Sequence, residues 1–200
     1  MSFTYQLNFD PQGARYGTEL VILEGSTEIP DNTLSDLSGE IGRPANLTAV
    51  VIPSTVTRIG SYAFQSASRL TSIAIPESVT TIGIGAFRGS GLTSLQLPES
   101  VTQLGDSAFR GSRISEATLS ESITTIPPAL FSDTQLRTIK LPESTRSIGS
   151  SAFYQTQLTD ITVPDGVTSI GDDAFNGSKL TRVSIPNTVE SIGERAFAAN

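Results

Sequence analysis

The chain of 200 residues contains no cysteine, no histidine and no tryptophan. Without cysteine there are no disulfides, no thiolate nucleophile and none of the usual zinc sites. Without histidine, the ordinary nucleophile–base pairs of covalent catalysis cannot be assembled, and no cofactor-binding motif is present either. Cations are outnumbered, with 13 Lys and Arg against 20 Asp and Glu, a formal net charge of -7. That balance argues against a nucleic-acid partner, which calls for a basic stripe. No run approaches the ~20 apolar residues of a membrane span, so membrane insertion is not expected. The start, Met1-Ser2-Phe3-Thr4-Tyr5, shows no basic segment followed by an apolar one, hence no visible signal peptide. A cytoplasmic location, a signal-independent exit and a removed leader all stay open.

What is present is a beat. Phenylalanine recurs at Phe64, Phe87, Phe109, Phe131, Phe153, Phe175 and Phe197, 22 residues apart after a first interval of 23. A leading apolar residue keeps the same period at Leu47, Leu70, Leu92, Ile114, Leu136, Leu158 and Leu180. Proline closes the apolar run at Pro53, Pro76, Pro98, Pro142, Pro164 and Pro186, with Ser120 in its place once. A unit this short cannot bury a core alone, so the period predicts a repeat solenoid counted as one domain.

The unit beginning at Leu70 shows the logic. Leu70, Ile73 and Ile75 alternate with Ser72 and Ala74, which predicts a short strand with its apolar side inward. Pro76 has no N–H and ends that strand's pairing. Val79 and Ile82 turn inward from the far wall, and Gly83 is expected to supply an unusual backbone angle. Ala86-Phe87 is expected in a short helical turn, with the ring plugging the coil. Stacked copies would set equivalent strands ~4.8 Å apart in a parallel sheet.

The motif L-x-x-I-x-I-P-x-S-V-T-x-I-G-x-x-A-F resembles the BspA-like leucine-rich-repeat family, over residues 47–197, about three quarters of the chain. The asparagine of the common leucine-rich signature is missing. The resemblance implies a leucine-rich-repeat-type right-handed coil, with a parallel β-sheet on one face and short helical or irregular turns on the other. It also implies a surface-exposed or extracellular, non-enzymatic protein engaged in adhesion to a protein or glycan partner. A structural spacer in a larger assembly or fibre is the second reading.

The alternation in Phe3-Thr4-Tyr5-Gln6-Leu7-Asn8-Phe9, the turn signal Asp10-Pro11-Gln12-Gly13 and the run Leu20-Val21-Ile22 predict a β-hairpin. Ile22, Ile29 and Leu34 share the mutual spacing of Ile52, Ile59 and Phe64, so residues 1–34 read as an N-terminal cap holding a degenerate repeat. Residues 35–46 form an insertion, read as a spacer or a projecting binding loop. Residues 47–200 form seven repeats, the last incomplete. Val183, Ile185, Val189 and Ile192 would line an end without a polar cap, which predicts a continuing array or end-to-end self-association. In the fourth repeat Ser120, Pro127-Pro128 and Leu130 depart from the pattern, and Thr145 follows where valine is usual. The stack is therefore expected to be weakest between residues 120 and 147.

Chemistry, if any, belongs to the outward strand positions. One column runs Ala49, Ser72, Ser94, Glu116, Thr138, Asp160, Arg182, and the other Val51, Ala74, Gln96, Thr118, Lys140, Thr162, Ser184. Inward columns barely vary while these do, as a binding surface or a drifting solvated face would show. Glu116, Thr118, Thr138, Lys140, Asp160, Thr162 and Arg182 are the candidate partner-binding residues. An acidic ridge, Glu77, Glu99, Glu121, Glu143 and Asp165, follows the prolines. At ~5 Å spacing in water each pair of neighbours repels by about 1 kcal/mol before screening. It reads as structural, with cation or basic-partner binding as the alternative. Glu116 and Asp160, two strands and so roughly 10 Å apart, lie just beyond an inverting glycosidase's carboxylate separation. An open, hydrated sheet suits that chemistry poorly. Asn46-Leu47-Thr48 and Asn176-Gly177-Ser178 match the glycosylation pattern of a eukaryotic secretory setting.

Overall fold

The computed structural model describes residues 3–9 and 18–200. The turn signal at residues 10–13 lies outside the described residues. The chain is a parallel β-solenoid whose coils we number 1 to 7 after Phe64 through Phe197. Its elements are β1 (Tyr5–Phe9), β2 (Thr18–Ile22), β3 (Glu28–Ile29), α1 (Thr33–Asp36), α2 (Ser38–Ile41), a 3-10 turn (Pro44–Asn46) and β4 (Leu47–Val51). The array continues with β5 (Arg58–Ile59), β6 (Thr81–Ile82), β7 (Ser94–Gln96), β8 (Gln103–Leu104), β9 (Glu116–Thr118), β10 (Thr125–Ile126) and β11 (Thr138–Ile139). It ends with β12 (Ser147–Ile148), β13 (Asp160–Thr162), β14 (Ser169–Ile170), β15 (Arg182–Ser184) and β16 (Ser191–Ile192).

The hairpin β1–β2 is antiparallel, and β2 continues into the array by pairing in parallel with β4. Residues 35–46 do not project as a loop. They fold into helical turns that bury Leu37 and Ile41, and Glu40 accepts a 2.7 Å hydrogen bond from the Tyr5 hydroxyl of the hairpin. That bond holds the Tyr5 hydroxyl above the usual phenol range. Phe3 stacks on Tyr5 beside it, with ring centroids 5.5 Å apart.

Each later coil crosses two sheet faces and one turn. The first face is a broken sheet, with β7, β9 and β11 paired in one block and β13 and β15 in another. Coil 2 forms no strand there. Ile73 and Ile75 are half-buried, and Thr93 N–H to the Thr71 carbonyl is the link to coil 3. The extra residue of the first, 23-residue interval falls just before, between Phe64 and Leu70, where Leu70 N–H closes a turn on the Ala67 carbonyl at 3.0 Å. The second face has two four-stranded ladders, β3-β5-β6-β8 and β10-β12-β14-β16. Their junction has a plain cause. Gly83, Gly105, Gly149, Gly171 and Gly193 each donate N–H to the preceding coil at 2.8 Å. Coil 4 has Pro127 in that position, which has no N–H to give.

The glycine of this position has a different purpose from the one expected. Gly83 does not have a positive φ. A Cβ on it would instead lie 2.6 Å from Ser61 N and 2.8 Å from the Gly60 carbonyl carbon, so glycine permits the coils to approach. The unusual angles fall two residues before and two after each phenylalanine, as at Gly85 (φ 56) and Gly89 (φ 67), or Ser151 (φ 57) and Gln155 (φ 55). These left-handed residues shape the corner as a chain of hydrogen-bonded turns, the form that the short turn expected around Ala86-Phe87 takes. The corner has its own ladder, in which Phe87 N–H reaches the Ala108 carbonyl at 2.8 Å and Phe153 N–H reaches the Ala174 carbonyl at 2.7 Å.

The phenylalanines form one internal stack. Phe64 through Phe175 are fully buried, and successive ring centroids lie 5.1–6.0 Å apart. The two widest steps, 5.7 and 6.0 Å, lie on either side of Phe131 in coil 4. At the last coil Ile185 is 40% exposed and Ile192 51%. A polar tie at Asn200 closes the last turn on the preceding coil without covering those side chains. Asn200 Oδ1 accepts from Leu180 N–H at 3.0 Å, and its Nδ2 donates to the carbonyls of Phe175 and Phe197 at 3.0 and 2.8 Å.

Candidate functional site

The outward columns of the first face come from strict alternation on strands whose inward residues are fixed by the core. Register places Ser94, Glu116 and Thr138 side by side, then Asp160 beside Arg182, and Gln96 beside Thr118. Glu116, Thr118, Thr138, Lys140, Asp160, Thr162 and Arg182 are all exposed.

Five of those seven meet in one place. A shallow groove of about 660 Å³ is lined by Ser94, Leu95, Gln96, Glu116, Ala117, Thr118, Thr138, Ile139, Lys140 and Asp160. Thr162 lies in an adjoining depression of about 450 Å³ that also has Lys140, Glu143 and Asp165 in its wall. Arg182 lies outside both. Ser94 and Gln96 also line the groove. They share the outward columns, but they belong to coil 3, before the charged stretch that begins at Glu116, and so carried no signal beyond position.

The groove offers hydroxyls and an amide, two carboxylates and one ammonium. Lys140 Nζ lies 3.8 Å from Glu143 Oε1, a loose ion pair between largely exposed side chains. Asp160 Oδ2 accepts from the Thr159 hydroxyl at 3.0 Å. Because β11 and β13 do not pair, the sheet is interrupted beneath Lys140 and Asp160. Glu116 and Asp160 stand on this open surface in contact with water.

The acidic ridge has a structural part to play. Glu99 Oε2 accepts Glu121 N–H at 2.9 Å and the Ser120 hydroxyl at 3.3 Å, and Glu121 Oε2 accepts Glu143 N–H at 3.1 Å. Glu99 and Glu121 thus tie their coils to the next, offsetting part of the repulsion along that stretch of the ridge. Among the described residues no three His, Cys, Asp or Glu side chains gather as metal ligands do. No helix among them is long and apolar enough to cross a membrane.

Comparison with known proteins agrees with the solenoid fold. The family described as the BspA type leucine-rich repeat region matches residues 43–156 and 146–200, in six copies. Comparison with curated proteins returned no match. Among solved structures, a leucine-rich cell surface protein of Faecalibacterium prausnitzii aligns with TM-score 0.64 at 26% identity, covering 94% of this chain and 53% of that one. A leucine-rich repeat protein of Eubacterium ventriosum aligns with TM-score 0.62 at 23% identity, covering 90% and 58%. The pneumococcal vaccine antigen PcpA shares the fold with TM-score 0.55 at 19% identity, covering 92% and 60%. The chain therefore spans a little over half the length of the first two.

Proposed function

The chain belongs to the BspA-type leucine-rich-repeat family, and on that premise we propose that it is a non-enzymatic binding module that presents its first sheet face to a protein or glycan partner at a cell surface. The observation that carries this reading is the groove. It lies on the face whose outward residues change from coil to coil while the buried columns repeat. Solenoids bind through extended surfaces, and this one has Glu116, Thr118, Thr138, Lys140 and Asp160 around a single concavity. The cell-surface placement rests on the family and on the Faecalibacterium neighbour, which is described as a cell surface protein.

The test is a binding survey against extracellular-matrix proteins and a glycan array, repeated with Lys140→Ala/Asp160→Ala. The double variant is expected to lose at least about tenfold in affinity, more than 1.4 kcal/mol, at an unchanged melting temperature. Undiminished binding by the variant would place the site elsewhere. The exposed Ile185 and Ile192 favour a second reading, a spacer joined end to end. On that reading Ile192→Glu abolishes association while the face substitutions leave it intact.

A further inference from the structure

We propose that the first sheet face also pairs with the same face of a second copy of this chain, with Lys140 of each copy seated between Glu116 and Asp160 of the other. The inference rests on the reading of that face as a binding surface and names one partner for it. Its basis is the order of charge across the strands. Glu116, Thr138 and Asp160 form the column nearer the strand starts, in coils 4, 5 and 6. Lys140 belongs to the column nearer the strand ends, in coil 5.

Two sheets laid face to face can be related by a two-fold axis running along the stack. That operation keeps the coil order and reverses the strand direction. The second column of one copy then lies over the first column of the other, coil for coil. Lys140 of each copy falls over Thr138 of its mate, with Glu116 one coil to one side and Asp160 one coil to the other. Those residues line the groove. An axis along the strands would instead lay each column on itself, ammonium over ammonium, and is disfavoured.

The flanks obey the same symmetry. In coil 4 exposed Arg113 precedes β9 and exposed Glu121 follows it, and in coil 5 exposed Arg137 precedes β11 and exposed Glu143 follows it. Reversing the strands brings each set over its opposite, which is the self-complementary pattern an isologous interface requires. Lys140 is free to exchange partners, since its 3.8 Å pair with Glu143 joins side chains 77% and 70% exposed. The groove walls carry no aromatic side chain, so a polar, charge-matched partner suits them better than one needing an aromatic platform.

The expected dimer is weak. Five coils at ~4.8 Å and a strand with its flanks bury on the order of 500 Å² per copy, below the ~800 Å² of a standard interface. Its strength then rests on charge, so salt should dissolve it.

Sedimentation equilibrium of the purified chain up to about 1 mM, at low salt and again near 0.3 M, tests this. The wild type is expected to dimerise at low salt and to weaken at least about tenfold at high salt. Lys140→Glu and Glu116→Lys/Asp160→Lys are each expected to be monomeric, with melting temperatures unchanged. An equimolar mixture of the two is expected to regain the dimer, because every ion pair is restored, one set with its signs exchanged and the other with the wild-type signs. A wild type monomeric throughout overturns the proposal. So does a dimer that survives Lys140→Glu but is lost in Ile192→Glu, which would mean association through the last coil. A monomeric chain that still captures a matrix protein or glycan overturns the self-pairing and leaves the surface reading standing. Loss of foreign-partner binding with the dimer intact would do the reverse.

Discussion

Arg146 makes the hydrogen bond that Gly166, one coil later, cannot. Two residues after the proline, most coils place a hydroxyl that donates to a carbonyl of the coil before. Ser78 reaches Val56 at 2.6 Å, Ser100 reaches Val79 at 2.8 Å, Ser144 reaches Ile123 at 2.7 Å and Thr188 reaches Val167 at 3.0 Å. Coil 6 has Gly166 there, and the guanidinium of Arg146 occupies the space a Cβ would need. Its Nη1 donates to the carbonyls of Thr145 and Glu143, both at 3.1 Å. Arg146→Ala should cost about 1 kcal/mol in urea denaturation, and Arg146→Ala/Gly166→Ser should recover most of it. Gly166→Ser alone should destabilise by crowding. An additive double variant would show that the two positions are not linked.

The hydroxyl of Thr145 is the cost of an unusual residue in the core. It is fully buried and its Oγ1 has no hydrogen-bond partner. Equivalent positions hold Val79, Val101 and Val167, all fully buried and apolar. Thr145→Val keeps the shape and removes an unmet polar group, so it should stabilise by about 1–2 kcal/mol and raise the melting temperature. A neutral or negative result would mean that the hydroxyl finds a partner in solution.

Pro127 divides the second face. The junction between β8 and β10 lacks the glycine N–H bond that joins every other adjacent pair of coils in the two ladders after β3. Amide hydrogen exchange should therefore be fastest, within the array, between residues 120 and 147. Pro127→Gly restores both the donor and the close approach, and should slow exchange at Leu104, Thr125 and Ile126. Faster exchange at the hairpin cap than in this stretch would count against that weakness.

Two classes of glycine can be told apart by one methyl group. Gly83→Ala would press a Cβ against Ser61 N and the Gly60 carbonyl carbon, at 2.6 and 2.8 Å. Neither backbone can give way without parting the coils, so the loss should be about 3 kcal/mol or more. Gly89 has φ 67 but open space, with its nearest neighbour 3.8 Å away. Gly89→Ala should cost only about 1 kcal/mol, because the penalty is conformational. Chemical denaturation of both variants measures the ordering.

The contrast between those glycines also shows what the sequence could reveal. The phenylalanine stack and the apolar columns were legible because the same demand repeats in every coil, and each copy confirms the others. The position of Gly83 was equally legible, but its reason was not, since close approach and positive φ both select glycine. The missing strand of coil 2 left a single trace, one surplus residue between Phe64 and Leu70. For the candidate site, alternation identified the outward columns. It could not tell that Glu116, Thr138, Lys140 and Asp160 gather around one groove while Arg182 does not. Asp160 lines the groove from beyond the break between β11 and β13 while its register partner Arg182, one coil farther on, does not, and no residue type announces where the groove ends.

Asp31 fastens the N-terminal cap to coil 1, and this contact should depend on pH. Its Oδ1 accepts the Ser61 N–H at 2.7 Å and pairs with Arg58 Nη2 at 2.6 Å. The Ser61 amide first, and then the Arg58 guanidinium, hold the carboxyl below the usual aspartate range. A group whose pKa is lower when folded contributes stability above its unfolded pKa, near 3.9, and loses it as pH falls through the folded value. Asp31→Asn keeps an acceptor for Ser61 but removes the charge. The wild type should therefore melt above the variant at neutral pH, with the gap shrinking below about pH 4 and closing in stronger acid. Since the pair is half-exposed, rising salt should narrow the gap at pH 7 as well. A gap that stays constant from pH 7 to pH 2 would assign the effect to packing at the cap instead of to the charge of Asp31.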